Sequence, residues 1–282
     1  PPPPPPPPPP FFFHPHHGIP DPLWSRGLGD VYKRQELEHL RAVQKITEAT
    51  MEMACSLIGR SPADAEGVLQ HEGAALTSER VRQLISRFVL DHDCTTLHDS
   101  IVVTVPHVAD CHHFGTGPLR KDLPVIVDIF PTHNHTHYCG DCTRTVVNGD
   151  VSDIVRDMHA CVVRANAAGC AALQPGTTGQ AVHEAVAAVI REDGYSMGAP
   201  TSEKDEEWIG MRHGTGHGIG LDVHEPILLA TGGGEILERE VFTVEPGLYS
   251  AIHGGVRVED MVAVTATGHE NFNQLHSELD WR

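Results

Sequence analysis

The chain has 282 residues, 40% hydrophobic and 21% charged, the composition of a folded globular protein with room for one large domain or two small ones. A formal net charge of −18 argues against a nucleic-acid or anionic-membrane partner, because both need a surplus of Lys and Arg. No apolar run approaches the roughly 20 residues of a membrane span, and an odd count of seven cysteines in a long chain fits reduced thiols and a cytoplasmic location.

Residues 1–35 do not read as folded protein. Ten prolines precede Phe11-Phe12-Phe13 and a His/Pro/Gly stretch; alone they would form an extended polyproline II rod. Asp30-Val-Tyr-Lys-Arg-Gln35 back-translates to the end of a transposase adapter used in sequencing libraries. We therefore expect 1–35 to be adapter-derived or disordered, with a natural proline-rich tail as the alternative, and take 36–282 as the folded domain.

From Glu36 to about Ile58, Leu37, Leu40, Val43, Ile46, Met53 and Leu57 recur at helical spacing, and Gly59 follows. Ser78 is the expected N-cap of a second helix whose stripe is Val81, Leu84, Ile85 and Phe88. Ile101–Val105 and Val125–Phe130 are β-branched and predict strands. Thr143–Val147 returns as the partner of the latter, a hairpin-like pair that brings Asp128 and Asp141 together. Ser152 to about Leu173 is helical with Ile154, Met158, Val162, Ala165 and Ala168 inside. Gly179–Asp193 follows with Ala181, Val182, Ala185, Val186, Val189 and Ile190 inside. The last third predicts strands at Phe242–Glu245 and, unbroken, at Val256–Val264, with Arg257 and Glu259 on one face and one of Glu259 and Asp260 in solvent. Two helices, strands, two helices, strands is an α+β order, with helices covering an antiparallel sheet.

Asp128 sits inside an apolar strand, where an unpaired carboxylate is costly. Glu245 and Glu259 are in similar settings, Asp141 lies between two cysteines, and His217 stands among alternating glycines at 214, 216, 218 and 220 that let backbones approach closely. Singly, each acid reads as a structural ion pair. Together, four carboxylates and one imidazole suit a hard or borderline divalent metal, and they are enough for two ions that activate water for hydrolysis. With the carboxylates present, only His217 is assigned to metal, leaving His213 and His224 to hydrogen-bond substrate. Cys139-Gly-Asp-Cys142 has CxxC spacing but no second such pair, and reads as two ordinary cysteines on a buried strand. His133, His135 and His137 read as an exposed polar loop, with a peripheral metal as the alternative.

Asp-Ile-Phe-Pro131, Gly-Asp-Cys-Thr-Arg-Thr145, His-Gly-Thr-Gly-His217, Val-His-Glu-Pro226, Glu-Pro-Gly-Leu-Tyr249 and Gly-Gly-Val-Arg-Val-Glu-Asp260 together resemble the M24 metallopeptidases of pita-bread fold. The resemblance covers about 36–275 and is strongest to the Xaa-Pro aminopeptidase and dipeptidase (prolidase) branch. It implies a curved, mainly antiparallel sheet and two divalent ions, Mn²⁺ first, with Co²⁺, Zn²⁺ or Fe²⁺ as alternatives. Asp128 would chelate one ion, Asp141 and Glu259 bridge both, and His217 and Glu245 complete the second. A bridging water would attack the scissile carbonyl with Glu245 as proton shuttle and His224 stabilising the tetrahedral intermediate. A family histidine maps to His112, with His113 as alternative because Cys111 replaces the usual proline. Arg257 resembles a family arginine near the site, and His213 lines the substrate side. The implied substrate is a peptide with proline near its N-terminus, and a homodimer is left open. An upstream domain of full-length relatives has no counterpart here. The competing readings are an inactive scaffold and a methionine-aminopeptidase-like or creatinase-like hydrolase on the same fold.

Overall fold

A computed structural model describes residues 33–200 and 207–282. Residues 1–32 of the segment read as adapter lie outside the described residues, while Arg34 and Gln35 already belong to the first helix, α1 (Arg34–Arg60).

α1 and α2 (Ser78–Leu90) pack on a three-stranded antiparallel sheet. Its strands are β1 (Ile101–Val103), the central β2 (Pro124–Ile129) and β3 (Cys142–Val147). Met51, Ile58, Val81 and Ile85 from the helices meet Val125, Val127, Ile129 and Val146 from the strands in one buried cluster. Thr77, not Ser78, caps α2: its side chain accepts from the Arg80 N–H at 3.2 Å, and Ser78 is the first helical residue. A threonine in extended conformation serves this role as well as serine.

The buried face of α1 differs from the hydrophobic stripe. Gln44, Thr47 and Thr50 are buried at its centre, whereas Ile46, Met53 and Leu57 are only half-buried. Thr47 and Thr50 satisfy themselves by donating to the carbonyls four residues back. The polar stripe presses on the loop that carries Asp141. A Cβ on Gly140 would fall 2.2 Å from Thr47 Oγ1, so only glycine lets helix and loop approach this closely.

The second half repeats the plan of a helix pair on strands. α3 (Asp153–Ala172) and α4 (Gly179–Glu192, capped by Thr178) cover two further sheets. The α3 face is turned slightly from expectation: Val155, Cys161 and Gly169 are buried and Ile154 and Ala168 half-buried, because the helix closes on both sheets. In α4, Ala181 is exposed and Ala187 buried.

β4 (Gly216–Gly218), β5 (Glu225–Leu229), β6 (Val241–Val244), β7 (Gly247–Ser250), β8 (Gly254–Arg257), β9 (Asp260–Thr265) and β10 (Gly268–Asn271) follow. One sheet has the order β5-β4-β6-β9-β10; another joins β8 and β7 to the short segments Gly210–Met211 and Ser196–Met197. The single strand expected over 256–264 is therefore two. The chain breaks at Val258-Glu259 and changes sheets, because Glu259 leaves the ladder to bridge with Thr143 of β3. That bridge ties the two halves together at the site. Among the described residues no helix is long and apolar enough to cross a membrane.

Candidate metal centre

β2 and β3 pair in an antiparallel register that sets Asp128 opposite Thr143 and Ile129 opposite Cys142, so Asp141, one residue before β3, arrives beside Asp128 as the hairpin reading requires. Thr143 anchors Glu259 twice: its carbonyl accepts the Glu259 N–H at 3.0 Å and its hydroxyl donates to Glu259 Oε2 at 2.7 Å. Glu245 follows β6 and donates its N–H to Thr215 O at 2.7 Å, which joins it to the strand carrying His217. That strand depends on its glycines. A Cβ on Gly216 would lie 1.9 Å from Thr243 O, and one on Gly218 would lie 2.7 Å from Pro226 O.

His217 donates from Nδ1 to Gly218 O at 3.0 Å, which leaves Nε2 as the free lone pair. Nε2 lies 3.7 Å from Glu245 Oε1 and 3.9 Å from Asp141 Oδ2. Ligand atoms of Asp141, His217 and Glu259 all fall within 4.8 Å of one another. Asp128 Oδ2 accepts from Arg257 Nη2 at 2.6 Å.

The electrostatics are strongly unfavourable without a cation. Burial, then the neighbouring carboxylates, pushes Asp141 and Glu259 well above the usual carboxylate range; burial takes Glu245 to about 8. Burial also holds His217 neutral, with a pKa lowered to about 4, the form that ligates. Asp128 Oδ1 and Asp141 Oδ1 are buried with no hydrogen-bond partner. Orphaned anionic oxygens are rare because each carries its full desolvation cost. A divalent ion removes both problems, and four carboxylates with one imidazole are a donor set for hard or borderline metals. The residues present fit a metal.

Three supporting residues escaped the sequence reading. Gln44, fully buried on α1, accepts the Asp141 N–H at 3.0 Å and donates to Asp141 O at 2.6 Å, clamping the backbone of a candidate ligand 97 positions away. Arg144 is buried with five donors placed: to the carbonyls of Thr143, Glu259, Leu275 and His276 and to Asp260 Oδ1 at 2.8 Å. Asp260 is thus an internal counter-ion. The expectation that one of Glu259 and Asp260 faces solvent is overturned, since they are 2% and 8% exposed. Tyr249 accepts from Arg257 Nη1 at 2.8 Å and lies 2.7 Å from His213 Nε2. Tyr249 and Arg144 stand inside motifs already quoted; Gln44 gave no signal, because a lone glutamine on a helix reads as surface.

The centre forms the floor of a cavity of about 680 Å³, within the range of small-molecule sites. Asp128, Asp141, His217, Glu245, Arg257 and Glu259 line it, with His98, His112, His213 and His224 on its walls. His98 was not singled out by sequence. His112 lines the cavity, whereas His113 stacks on His107 at 4.4 Å and accepts from the Gly115 N–H, which favours the former. His224 is exposed at the mouth, its ring edge-on to His217 at 4.2 Å. His213 departs from expectation. Nδ1 donates to Gly214 O and Nε2 accepts from Tyr249, so both nitrogens are engaged within the protein and neither N–H is free for substrate. Burial, then Arg257, holds its pKa at about 3 and the ring neutral. Leu97, Phe114, Leu221 and Leu228, all exposed, ring the opening. His133 and His135 meet edge-on with ring centroids 5.9 Å apart, but His133 Nδ1 accepts from two loop N–H groups, His135 and His137 are exposed, and the three form no metal-binding group among the described residues. Cys139 and Cys142 are free buried thiols.

Comparison with known proteins shows the fold and the family. The probable dipeptidase PepE of Mycobacterium tuberculosis is 35% identical over 181 residues, 64% of this chain and 45% of that protein. The Xaa-Pro dipeptidase of Pyrococcus furiosus is 33% identical over 161 residues, 57% of this chain and 42% of its own. The chain thus spans less than half the length of these curated relatives. Among solved structures, the Xaa-Pro dipeptidase from Bacillus anthracis superposes with a TM-score of 0.75 at 27% identity, over 90% of this chain and 65% of that one. The dipeptidase PepE from Mycobacterium ulcerans gives 0.74 at 28%, over 90% and 62%. The fold is the pita-bread fold of these peptidases, and the model of metallopeptidase family M24 matches residues 38–266: the chain belongs to metallopeptidase family M24.

Proposed function

We propose that this domain is a two-metal exopeptidase that hydrolyses a peptide bond next to proline, as an Xaa-Pro aminopeptidase or dipeptidase. The observation that carries it is the convergence of Asp128, Asp141, His217, Glu245 and Glu259 on one cavity floor, with two anionic oxygens lacking any protein partner. The relatives named Xaa-Pro dipeptidase support the substrate class. The complete ligand set argues against an inactive scaffold or a metal-free creatinase-like hydrolase.

In this reading Asp128, Asp141, His217, Glu245 and Glu259 hold two divalent ions, Mn²⁺ before Co²⁺, Zn²⁺ or Fe²⁺. When bound, the ions polarise the scissile carbonyl and lower the pKa of water. Glu245, mostly buried but lining the cavity with 21% of its side chain exposed, takes the proton of the attacking water and returns it to the leaving amine. His224 at the mouth and His112 on the wall donate to the carbonyl oxygen as charge develops. Arg257, held by Tyr249 and Asp128, keeps its charge under the carboxylates, and His213 orients through the same chain. The apolar ring at the opening shields the reacting bond from water. We assign the protein to the cytoplasm. Release of the N-terminal residue from Xaa-Pro dipeptides and tripeptides, with Mn²⁺ and with chelator, tests the reading against Xaa-Ala controls. No release by folded, Mn²⁺-loaded protein would refute it.

A further inference from the structure

Asp110, Cys111 and His112 form a second group of ligating side chains, their donor atoms within 4.8 Å of one another; Cys111 and His112 line the cavity away from the carboxylates, and Asp110 is exposed beside them. The tight turn after the 3-10 segment His107–Ala109 gathers them, and Asp110 Oδ1 accepts the His112 N–H at 3.1 Å. Cys111 Sγ stands 3.7 Å from His112 Nδ1. A tetrahedral zinc with Zn–S of about 2.3 Å and Zn–N of about 2.0–2.1 Å holds its sulfur and nitrogen about 3.6 Å apart. The pair is therefore already at the bite of a soft or borderline cation.

Cys111 Sγ and His112 Nδ1 hydrogen-bond to each other, a contact that an ion between them would replace. Arg257 Nη1 donates to Cys111 O at 3.3 Å and Arg212 Nη1 to Ala109 O, so both guanidinium groups bond main-chain oxygens here rather than the thiol. The Cys111 thiol is 7% exposed and lines the cavity, so an ion reaches it from the substrate side.

We propose that Asp110, Cys111 and His112 form a third metal site, for a thiophilic divalent cation such as Zn²⁺, that is separate from the carboxylate centre and inhibitory. Cys111 binds as the thiolate and releases its proton to solvent, giving with Asp110 two negative charges to one dication. Binding fixes the His112 ring to the wall and takes it from substrate. This last consequence rests on the function proposed above; the site does not.

Cd²⁺ is the probe, because sulfur-to-cadmium charge transfer absorbs in the ultraviolet and the carboxylate centre contains no sulfur. Titration of the wild-type protein should show a thiolate–cadmium band that is lost in Cys111→Ser, moves to at least tenfold higher Cd²⁺ in His112→Ala, and persists in Cys139→Ser, the other cysteine lining the cavity. No band in the wild type, or an unchanged band in Cys111→Ser, overturns the site. In parallel, Zn²⁺ added to the Mn²⁺-loaded protein should inhibit peptide hydrolysis at least tenfold more strongly in the wild type than in Cys111→Ser. Equal inhibition of the two overturns the inhibitory role. A cadmium band in a protein that hydrolyses no Xaa-Pro peptide refutes the proposed function and keeps the site. Hydrolysis without the band does the reverse.

Discussion

Replacing Gln44 with leucine tests whether the ligand geometry is set from α1. The substitution nearly conserves volume but removes the bond that accepts the Asp141 N–H at 3.0 Å and the one that donates to Asp141 O at 2.6 Å, together with a 3.0 Å bond to Asn273. Gln44 is 0% and Asp141 3% exposed, so water does not replace these partners. Each orphaned buried group costs about 1–3 kcal/mol. Two main-chain groups therefore give about 2–6 kcal/mol, a large share of the roughly 5–15 kcal/mol that holds a domain together. Freed from the clamp, the Asp141 carboxylate loses its fixed position, and loss of an outer partner typically weakens metal binding about 10–100-fold. Urea unfolding of metal-free protein gives the first quantity and Mn²⁺ titration calorimetry the second. Gln44→Glu keeps the acceptor and loses the donor, and should fall between wild type and leucine in Mn²⁺ affinity. A stability change within about 0.5 kcal/mol, the range of a surface substitution, with unchanged Mn²⁺ affinity would refute the clamp.

Glu245→Gln should lower turnover by about 10²–10⁴ while the circular dichroism spectrum stays that of the wild type, and a loss under tenfold would remove the proton-shuttle role. The metal-free protein should lose stability as pH rises. Burial lifts the Glu245 pKa from 4.5 to about 8, so its protonated form favours the fold fully below about 4.5, and that contribution disappears as pH passes about 8. Asp141 and Glu259 shift the same way. Melting temperatures across that window should fall without metal and recover with Mn²⁺; a flat metal-free profile would contradict the buried-carboxylate electrostatics. Gly216→Ala forces a Cβ to 1.9 Å from Thr243 O and should cost about 1–3 kcal/mol or more by urea unfolding, with reduced Mn²⁺ uptake because His217 is the next residue. Wild-type stability in that variant would show the strands can part without penalty.

The sequence by itself determined the helices, the β2–β3 pairing and the candidate ligands. Those signals are local: apolar spacing marks α1 to α4, and an aspartate inside Val-Ile-Val-Asp-Ile needs a reason to be there. Short glycine-rich motifs carried the family resemblance for the same reason, since each glycine answers a close backbone approach. The tertiary structure alone decided the supports. Gln44 belongs to the site because α1 lies across the Asp141 loop, a contact between residues 97 positions apart that no helical period encodes. Val256–Val264 splits because Glu259 pairs with Thr143 on another strand, so a long-range bridge overrides a β-branched run. Asp260 turns inward because Arg144 waits there, and His213 turns from substrate to Tyr249. Periodicity states which residues leave water; only the packed chain states which partner each one meets.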